Sequence, residues 1–200
     1  MSSKIQNYIE KDIPDNVHFI LENKNLLEQA KIGVEVGVLF GLFTAALCKH
    51  ISDIHMTAVD PWGDVSKMDE AYDHNDNYIE ALRRFEPYKN RITVIREESI
   101  IAAEQIEDNS VDFVFIDATH TPEAIEKDVY AWLPKIKDTG FISGHDYVSK
   151  FGMIPFIDSM SEQKDLYTDM WTCWWIHKKD IIEPFKSYEA PEKGPSQIIG

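Results

Sequence analysis

The sequence predicts an α/β protein with a Rossmann-like, doubly wound and mostly parallel seven-stranded sheet. From about residue 32 to about residue 145, short β-rich runs alternate with longer amphipathic segments, a pattern typical of strand–helix–strand crossovers. The run Val111–Ile116 is almost wholly apolar, as expected for a parallel strand covered on both faces at the centre of the sheet. A late strand at 172–176 follows strand-rich sequence and predicts an antiparallel edge strand. We therefore expect helices on both faces of the sheet.

The individual elements follow from periodicity and from helix start and stop signals. A helix is expected to begin at Thr121 and Pro122, because proline is favoured in the first turn, and to run to about Lys137 before Gly140 ends it. The elements predicted in this region are strands at 33–37, 55–60, 91–95, 111–116 and 141–144, and helices at 39–50, 78–85, 99–105 and 121–137.

Length and composition limit the organisation and the partners of the chain. Its 200 residues fit one domain, which we place at 31–185, with a helical cap at 1–30 and a loose tail at 186–200. The net charge of -15 argues against nucleic acid, since such binding depends on clustered Lys and Arg. The sequence shows no signal peptide and no apolar run of membrane-spanning length, so we expect a cytoplasmic protein without a membrane partner.

The turn after the first strand is the first candidate binding feature. It has the pattern Glu35-x-Gly37-x-x-x-Gly41. Gly37 allows the backbone to approach a ligand, and Gly41 is expected to let the following helix pack against the strand. The bulky residues between the two glycines disfavour a diphosphate, and with it a nicotinamide dinucleotide, because the middle glycine of that fingerprint is missing.

Polar residues also follow the next two strands. Asp60 closes the second strand and is followed by Pro61 and Trp62, while Glu98 and Ser99 follow the third strand. In an open parallel sheet, ligands bind at the carboxyl ends of the strands. An acid after the second strand can accept hydrogen bonds from ribose hydroxyls, so the sequence predicts a site for an adenosine-containing cofactor.

These residues resemble class I S-adenosylmethionine-dependent methyltransferases over roughly residues 30 to 180. The resemblance is greatest to the compact bacterial small-molecule and sugar O-methyltransferases, a group similar to methyltransferase family 24. The motifs that carry it are EVGVLFG at 35–41, VDPW at 59–62, DFVFIDATH at 112–120, GHDY at 144–147 and WWI at 174–176.

The resemblance implies roles for the residues at the strand ends. Asp60, with Pro61 and Trp62 beside it, would bind the cofactor ribose. Glu98 and Ser99 would border adenine. Glu35 would lie close to the methionine part, and Gly37, Gly41 and Asp117 are also expected to bind the cofactor.

The same resemblance implies a metal. In relatives similar to catechol O-methyltransferase, acids at the positions of Asp117 and Asp146 bind Mg²⁺, which chelates the substrate hydroxyls, and oxygen ligands of this kind suit a divalent cation. Tyr147 stands where those relatives carry a third ligand, Asn. His145 or His120 could supply a nitrogen ligand instead, or act as the general base that removes a hydroxyl proton.

The leading hypothesis is therefore O-methylation of a small-molecule substrate with divalent metal assistance. Two alternatives stay open, namely a metal-free methyltransferase with a His base and a non-catalytic module that retains the cofactor pocket.

The polar stretch at 62–77 is expected to be a lid or a surface loop. The acceptor is not specified by any motif, and assembly as a homodimer also stays open.

Overall fold

The computed structural model describes residues 15–63, 74–170 and 172–182, and its centre is a seven-stranded sheet of order β3-β2-β1-β4-β5-β7-β6. The strands are β1 (Ile32–Val36), β2 (His55–Val59), β3 (Ile92–Ile95), β4 (Val111–Ile116), β5 (Ile136–Gly144), β6 (Tyr167–Thr168) and β7 (Trp174–His177). The α-helices are α1 (Asp15–Glu22), α2 (Lys24–Leu27), α3 (Leu42–His50), α4 (His74–Phe85), α5 (Ser99–Ala103), α6 (Pro122–Trp132) and α7 (Ile154–Ser159).

The strand pairings confirm the predicted sheet. Strands β1 to β5 pair in parallel, β7 runs antiparallel to β5, and the two-residue β6 pairs antiparallel with β7 at the outer edge. Strand order reverses between β1 and β4, since the chain adds β2 and β3 on one side and returns to β4 on the other. The carboxyl ends of β1 and β4 therefore border the crevice in which ligands of open α/β sheets bind.

Strand β4 shows why the sheet carries helices on both faces. Successive side chains of a strand point to opposite faces. Phe113 and Phe115 pack with α1 and α3 on one face, whereas Val114 and Ile116 pack with α6 and α7 on the other. All four side chains are buried, which accounts for the nearly continuous apolar run of this strand.

The N-terminal helices belong to one of these layers. Phe19 and Ile20 of α1 are fully buried with Phe43 of α3 and Phe115 of β4. The rings of Phe43 and Phe115 stack with their centroids 4.0 Å apart. Helix α1 thus covers the sheet, while residues 1–14 of the predicted cap and the predicted tail at 186–200 lie outside the described residues.

The predicted end of α6 is wrong. The helix stops at Trp132, a 3₁₀ turn follows at Leu133–Lys135, and β5 already begins at Ile136. Pro134 explains the stop, because proline has no N–H to continue the helical hydrogen bonds. Gly140 lies inside β5, where a side chain would collide with the backbone of Asp112.

Helix α4 begins four residues before the predicted start, at His74. Residues 64–73, which contain most of the predicted lid, lie outside the described residues. Within the described part of the chain, no helix is long and apolar enough to span a membrane.

Candidate active site

Gly37 sets the course of the turn after β1. Its backbone has a φ of 87°, and its N–H donates to the carbonyl of Val59 at 2.9 Å. A side chain at this position would overlap the carbonyl group of Asp117. Only glycine therefore allows the ends of β1 and β4 to approach each other so closely.

Gly41 begins α3 with a φ of 75°. A Cβ atom here would lie 2.7 Å from Cε1 of Phe85, which belongs to α4. The expectation that Gly41 lets α3 pack against the strand is therefore wrong, because the close neighbour is a helix and not β1.

Asp60 holds the turn through its carboxylate. Oδ2 accepts the N–H groups of Val38 and Leu39, each at 2.9 Å, and Oδ1 accepts the N–H of Trp62 at 2.8 Å. Leu39 has a φ of 49°, so these bonds support a backbone conformation that L-residues seldom adopt. Asp60 thus shapes the turn, and its contact with a ribose stays a prediction.

Trp62 and Pro61 continue this structure. Trp62 is 2% exposed, its indole N–H donates to the carbonyl of Leu39 at 2.8 Å, and its ring packs against Tyr78. Arg96 donates to the carbonyls of Pro61 and Trp62 at 3.3 and 2.8 Å. The segment after β2 is therefore anchored to both the β1 turn and the end of β3.

Glu35 is a buried acid on the first strand. It is 1% exposed, and its Oε2 accepts the hydroxyl of Thr44 at 2.5 Å and the N–H of Thr44 at 3.1 Å. Burial raises the pKa of Glu35 well above its usual value, although the bonds from Thr44 oppose this. The side chain links β1 to α3, and its predicted role near the methionine part stays a prediction.

Ser99 and Glu98 stand at the start of α5 after β3. The indole N–H of Trp132 donates to the hydroxyl oxygen of Ser99 at 2.9 Å, and Ser99 also hydrogen-bonds Asp128. Burial raises the pKa of Asp128 to about 6, with the nearby charge of Glu98 adding to the effect. Ser99 therefore joins α5 to α6, and contact of Glu98 and Ser99 with adenine stays a prediction.

Two acids and two histidines meet beyond the carboxyl ends of β4 and β5. His120 Nε2 lies 2.7 Å from Asp146 Oδ2 and 3.5 Å from Asp117 Oδ1. His145 Nδ1 lies 3.5 Å from Asp117 Oδ1 and 3.4 Å from Asp146 Oδ2, and its Nε2 lies 3.3 Å from the hydroxyl of Thr172. We call Asp117, His120, His145 and Asp146 the Asp–His cluster.

The backbone brings this cluster together. The N–H of Asp117 donates to Val36 at 2.8 Å, and the N–H of His145 donates to Ile116 at 3.1 Å, so the sheet bonding continues past the strand ends. Asp146 has a φ of 58°, and a non-glycine residue in this region is often found at functional sites.

The charges of the cluster stabilise one another. Hydrogen bonds to Asp117 and Asp146 raise the pKa of His120 to about 9. Burial opposes the charge of His145, but bonds to the same two acids outweigh it and raise its pKa to about 10. Burial likewise opposes the charges of Asp117 and Asp146, yet both pKa values are lowered by their bonds to the histidines.

The donor chemistry of the cluster fits a divalent cation. One donor atom each from Asp117, His120 and Asp146 lie within 4.8 Å of one another. Of the two histidines that the sequence left open as nitrogen ligands, His120 and His145, the one in this triad is His120. The hydroxyl of Tyr147 is directed away from this triad, since it donates to Asp158 of α7 at 2.6 Å.

Comparison with known protein families decides the assignment. A family described as a methyltransferase domain matches residues 34–147, a range that contains the β1 turn and the whole Asp–His cluster. The chain belongs to this methyltransferase family. The class predicted from the sequence motifs is thereby confirmed.

Solved structures share the methyltransferase fold at low sequence identity. A proposed O-methyltransferase from Klebsiella pneumoniae is 18% identical, with 84% of this chain and 83% of that chain covered and a TM-score of 0.56. The O-methyltransferase TomG from Streptomyces achromogenes, solved with S-adenosylmethionine, is 12% identical, with coverages of 86% and 85% and a TM-score of 0.57. A proposed caffeoyl-CoA O-methyltransferase from Staphylococcus aureus is 16% identical, with coverages of 86% and 94% and a TM-score of 0.54. No curated protein matches the sequence significantly.

Three residues that support the candidate site were not singled out from the sequence. They are Thr44, Asp128 and Thr172, which bond Glu35, Ser99 and His145 respectively. Each of these residues lies on a different part of the fold from its partner. Asp128 and Thr172 are both more than 25 positions from their partners in the chain. Only Thr44 could have been found from the sequence, because it lies in the first turn of the helix that follows the glycine turn.

Proposed function

We propose that this protein transfers a methyl group from S-adenosylmethionine to a hydroxyl oxygen of a small molecule, with a divalent cation at Asp117 and Asp146. The observation that carries the proposal is the Asp–His cluster, which lies directly beside the glycine turn. Family membership supplies the reaction class, and the cluster supplies groups that can bind an acceptor hydroxyl next to the cofactor site.

Support for the cofactor comes from the turn itself. Gly37 leaves no side chain where the β1 turn approaches Asp117, whereas the bulky run at 38–40 stands where a dinucleotide-binding turn carries its middle glycine. TomG, which has a similar fold, was solved with S-adenosylmethionine. A sulfonium cofactor also carries no phosphate that would be repelled by the acids around the crevice.

The chain's own residues supply positioning and charge. Asp117 and Asp146 stay ionised, because their pKa values are held low, and they would hold the cation. When bound, that cation would lower the pKa of the acceptor hydroxyl and orient its oxygen. His145 contacts both carboxylates and Thr172 and so fixes the carboxylate orientations. Methyl transfer then depends mainly on holding the oxygen in line with the methyl group.

Calorimetry with S-adenosylhomocysteine tests the cofactor half. We expect saturable binding by the wild-type protein and none by Gly37→Val, in which a branched side chain fills the crevice. NADH is the matched negative ligand. Absence of S-adenosylhomocysteine binding at millimolar concentration would overturn the proposal.

Methyl transfer to a panel of small-molecule hydroxyl compounds tests the metal half. Activity should fall at least about tenfold with EDTA and return with excess divalent cation, while Asp146→Ala should stay inactive at any cofactor concentration. Full activity in EDTA would instead support the metal-free enzyme with a histidine base.

A further inference from the structure

We infer that His120 is the third protein ligand of the proposed cation, and that its imidazole makes the site prefer a first-row transition ion such as Mn²⁺ or Co²⁺ over Mg²⁺. The inference rests on the proposed metal role of Asp117 and Asp146. It adds a ligand and a class of metal that two carboxylates alone do not specify.

The spacing of the donor atoms supports three neighbouring ligands. His120 Nε2 lies 2.7 Å from Asp146 Oδ2 and 3.5 Å from Asp117 Oδ1. Adjacent ligand atoms of an octahedral ion with bonds of about 2.1 Å lie roughly 3 Å apart. The two distances lie on either side of this value, and the donor atoms of all three groups lie within 4.8 Å of one another, so the three groups are close enough to share one cation.

Neighbouring residues hold the imidazole of His120 beside the two carboxylates and leave its side chain partly exposed to solvent. The ring packs against Phe151, with centroids 5.0 Å apart, and the side chain is 37% exposed. His145 is only 17% exposed, and its Nε2 already faces Thr172. His120 is thus the more open imidazole and makes the closest approach to a carboxylate.

Tyr147 cannot complete an all-oxygen ligand set in this arrangement. Its hydroxyl donates to Asp158, and its ring packs against the hydrophobic core beside α7. The described residues therefore offer two carboxylates and two imidazoles at this point, and His120 is the histidine whose donor atom lies within 4.8 Å of a donor atom from each carboxylate in one mutually close group. Mg²⁺ prefers oxygen ligands and nearly ideal octahedra, whereas imidazole suits transition ions, whose affinity rises from Mn²⁺ to Co²⁺.

Calorimetry on the metal-free, full-length protein with Mg²⁺, Mn²⁺ and Co²⁺ tests the metal class. We expect Co²⁺ to bind at least about tenfold more tightly than Mg²⁺. Replacing the imidazole by an amide in His120→Asn should weaken Co²⁺ binding at least about tenfold and change Mg²⁺ binding less than about threefold. His145→Asn is the matched control and should keep the preference for Co²⁺.

Electron spin echo measurements on the Mn²⁺-loaded wild-type protein give a second readout that needs no variant. A coupling to an imidazole nitrogen is expected, and it should vanish in His120→Asn but persist in His145→Asn. Equal affinity for Mg²⁺ and Co²⁺, no nitrogen coupling, or loss of the coupling only in His145→Asn would each overturn the inference. S-adenosylhomocysteine binding is measured separately on the same samples, so failure of the cofactor proposal can be recognised independently. Circular dichroism of each variant shows that the fold is retained.

Discussion

At the scale of single residues, Gly37 shows how one missing side chain shapes the site. Its left-handed backbone and the nearby carbonyl of Asp117 both exclude a Cβ atom. We predict that Gly37→Ala lowers the free energy of unfolding by about 2–4 kcal/mol, through backbone strain and overpacking, and abolishes cofactor binding. Urea denaturation and calorimetry measure the two effects.

Gly63 provides the matched control for this substitution. It follows the second strand by four residues, and among the described residues the nearest atom to an added Cβ would be the carbonyl oxygen of Pro61 at an ordinary 3.7 Å. Gly63→Ala should change stability by less than about 0.5 kcal/mol. Equal losses of stability at the two positions would mean that the close approach of Gly37 to the carbonyl of Asp117 does not restrict the residue at position 37.

Asp128 is a second residue whose environment has a measurable effect, because its burial makes the stability of the protein depend on pH. Its folded pKa of about 6 exceeds the ordinary value of 3.8, so the folded protein binds this proton more tightly than the unfolded chain does. The associated stability is fully present below about pH 4 and is lost as the pH rises through 6. The charged carboxylate then costs about 3 kcal/mol.

We therefore predict that Asp128→Asn stabilises the protein at pH 8 by up to about 3 kcal/mol, with the gain shrinking toward pH 5. Urea denaturation across this range measures the effect. Glu126→Gln, on the exposed side of the same helix, should leave stability nearly unchanged. A gain for Asp128→Asn that does not depend on pH would contradict the assigned cause.

At the scale of elements, α7 is held to the end of β5 through Tyr147 and Asp158. Tyr147→Phe keeps the ring in the core and removes only this hydrogen bond. We predict a loss of about 0.5–1.5 kcal/mol in urea denaturation, with metal binding and methyl transfer retained. Loss of methyl transfer without loss of stability would show that the hydroxyl takes part in the chemistry.

The elements also show how far the sequence could be interpreted. Strands such as β4 were predictable, because burial on both faces leaves a nearly continuous apolar run. The end of α6 was predicted wrongly although Pro134 is a stop signal in the sequence, since apolar residues continue past it to Ile136, which instead pairs with Val111. Where an apolar run can serve a helix or a strand, the tertiary partner decides.

For the site, residue type and chain position predicted that Asp117 and Asp146 converge, because parallel strands end at one edge. The choice between His120 and His145 depends on side-chain rotamers, which no pattern of residues encodes. The three hydrogen bonds that the Asp60 carboxylate accepts from backbone N–H groups could not be predicted either, since they depend on how the β1 turn bends toward β2.

At the scale of the whole molecule, the excess of acidic residues affects stability. Asp and Glu number 35 against 20 Lys and Arg, and many of the ion pairs are exposed, such as Lys89 with Glu86. Exposed pairs contribute little, whereas a large net charge destabilises a compact state through self-repulsion.

We predict that raising NaCl from about 20 to about 300 mM at pH 8 increases the free energy of unfolding by about 1 kcal/mol, because the shorter screening length weakens the repulsion among the excess acids. Urea denaturation at both salt concentrations measures the change. The same comparison near the isoelectric point is the control, since the net charge is then close to zero and the benefit of salt should vanish. If salt destabilised the protein at pH 8, the attractive ion pairs, including those of the Asp–His cluster, would outweigh the repulsion of the remaining acids.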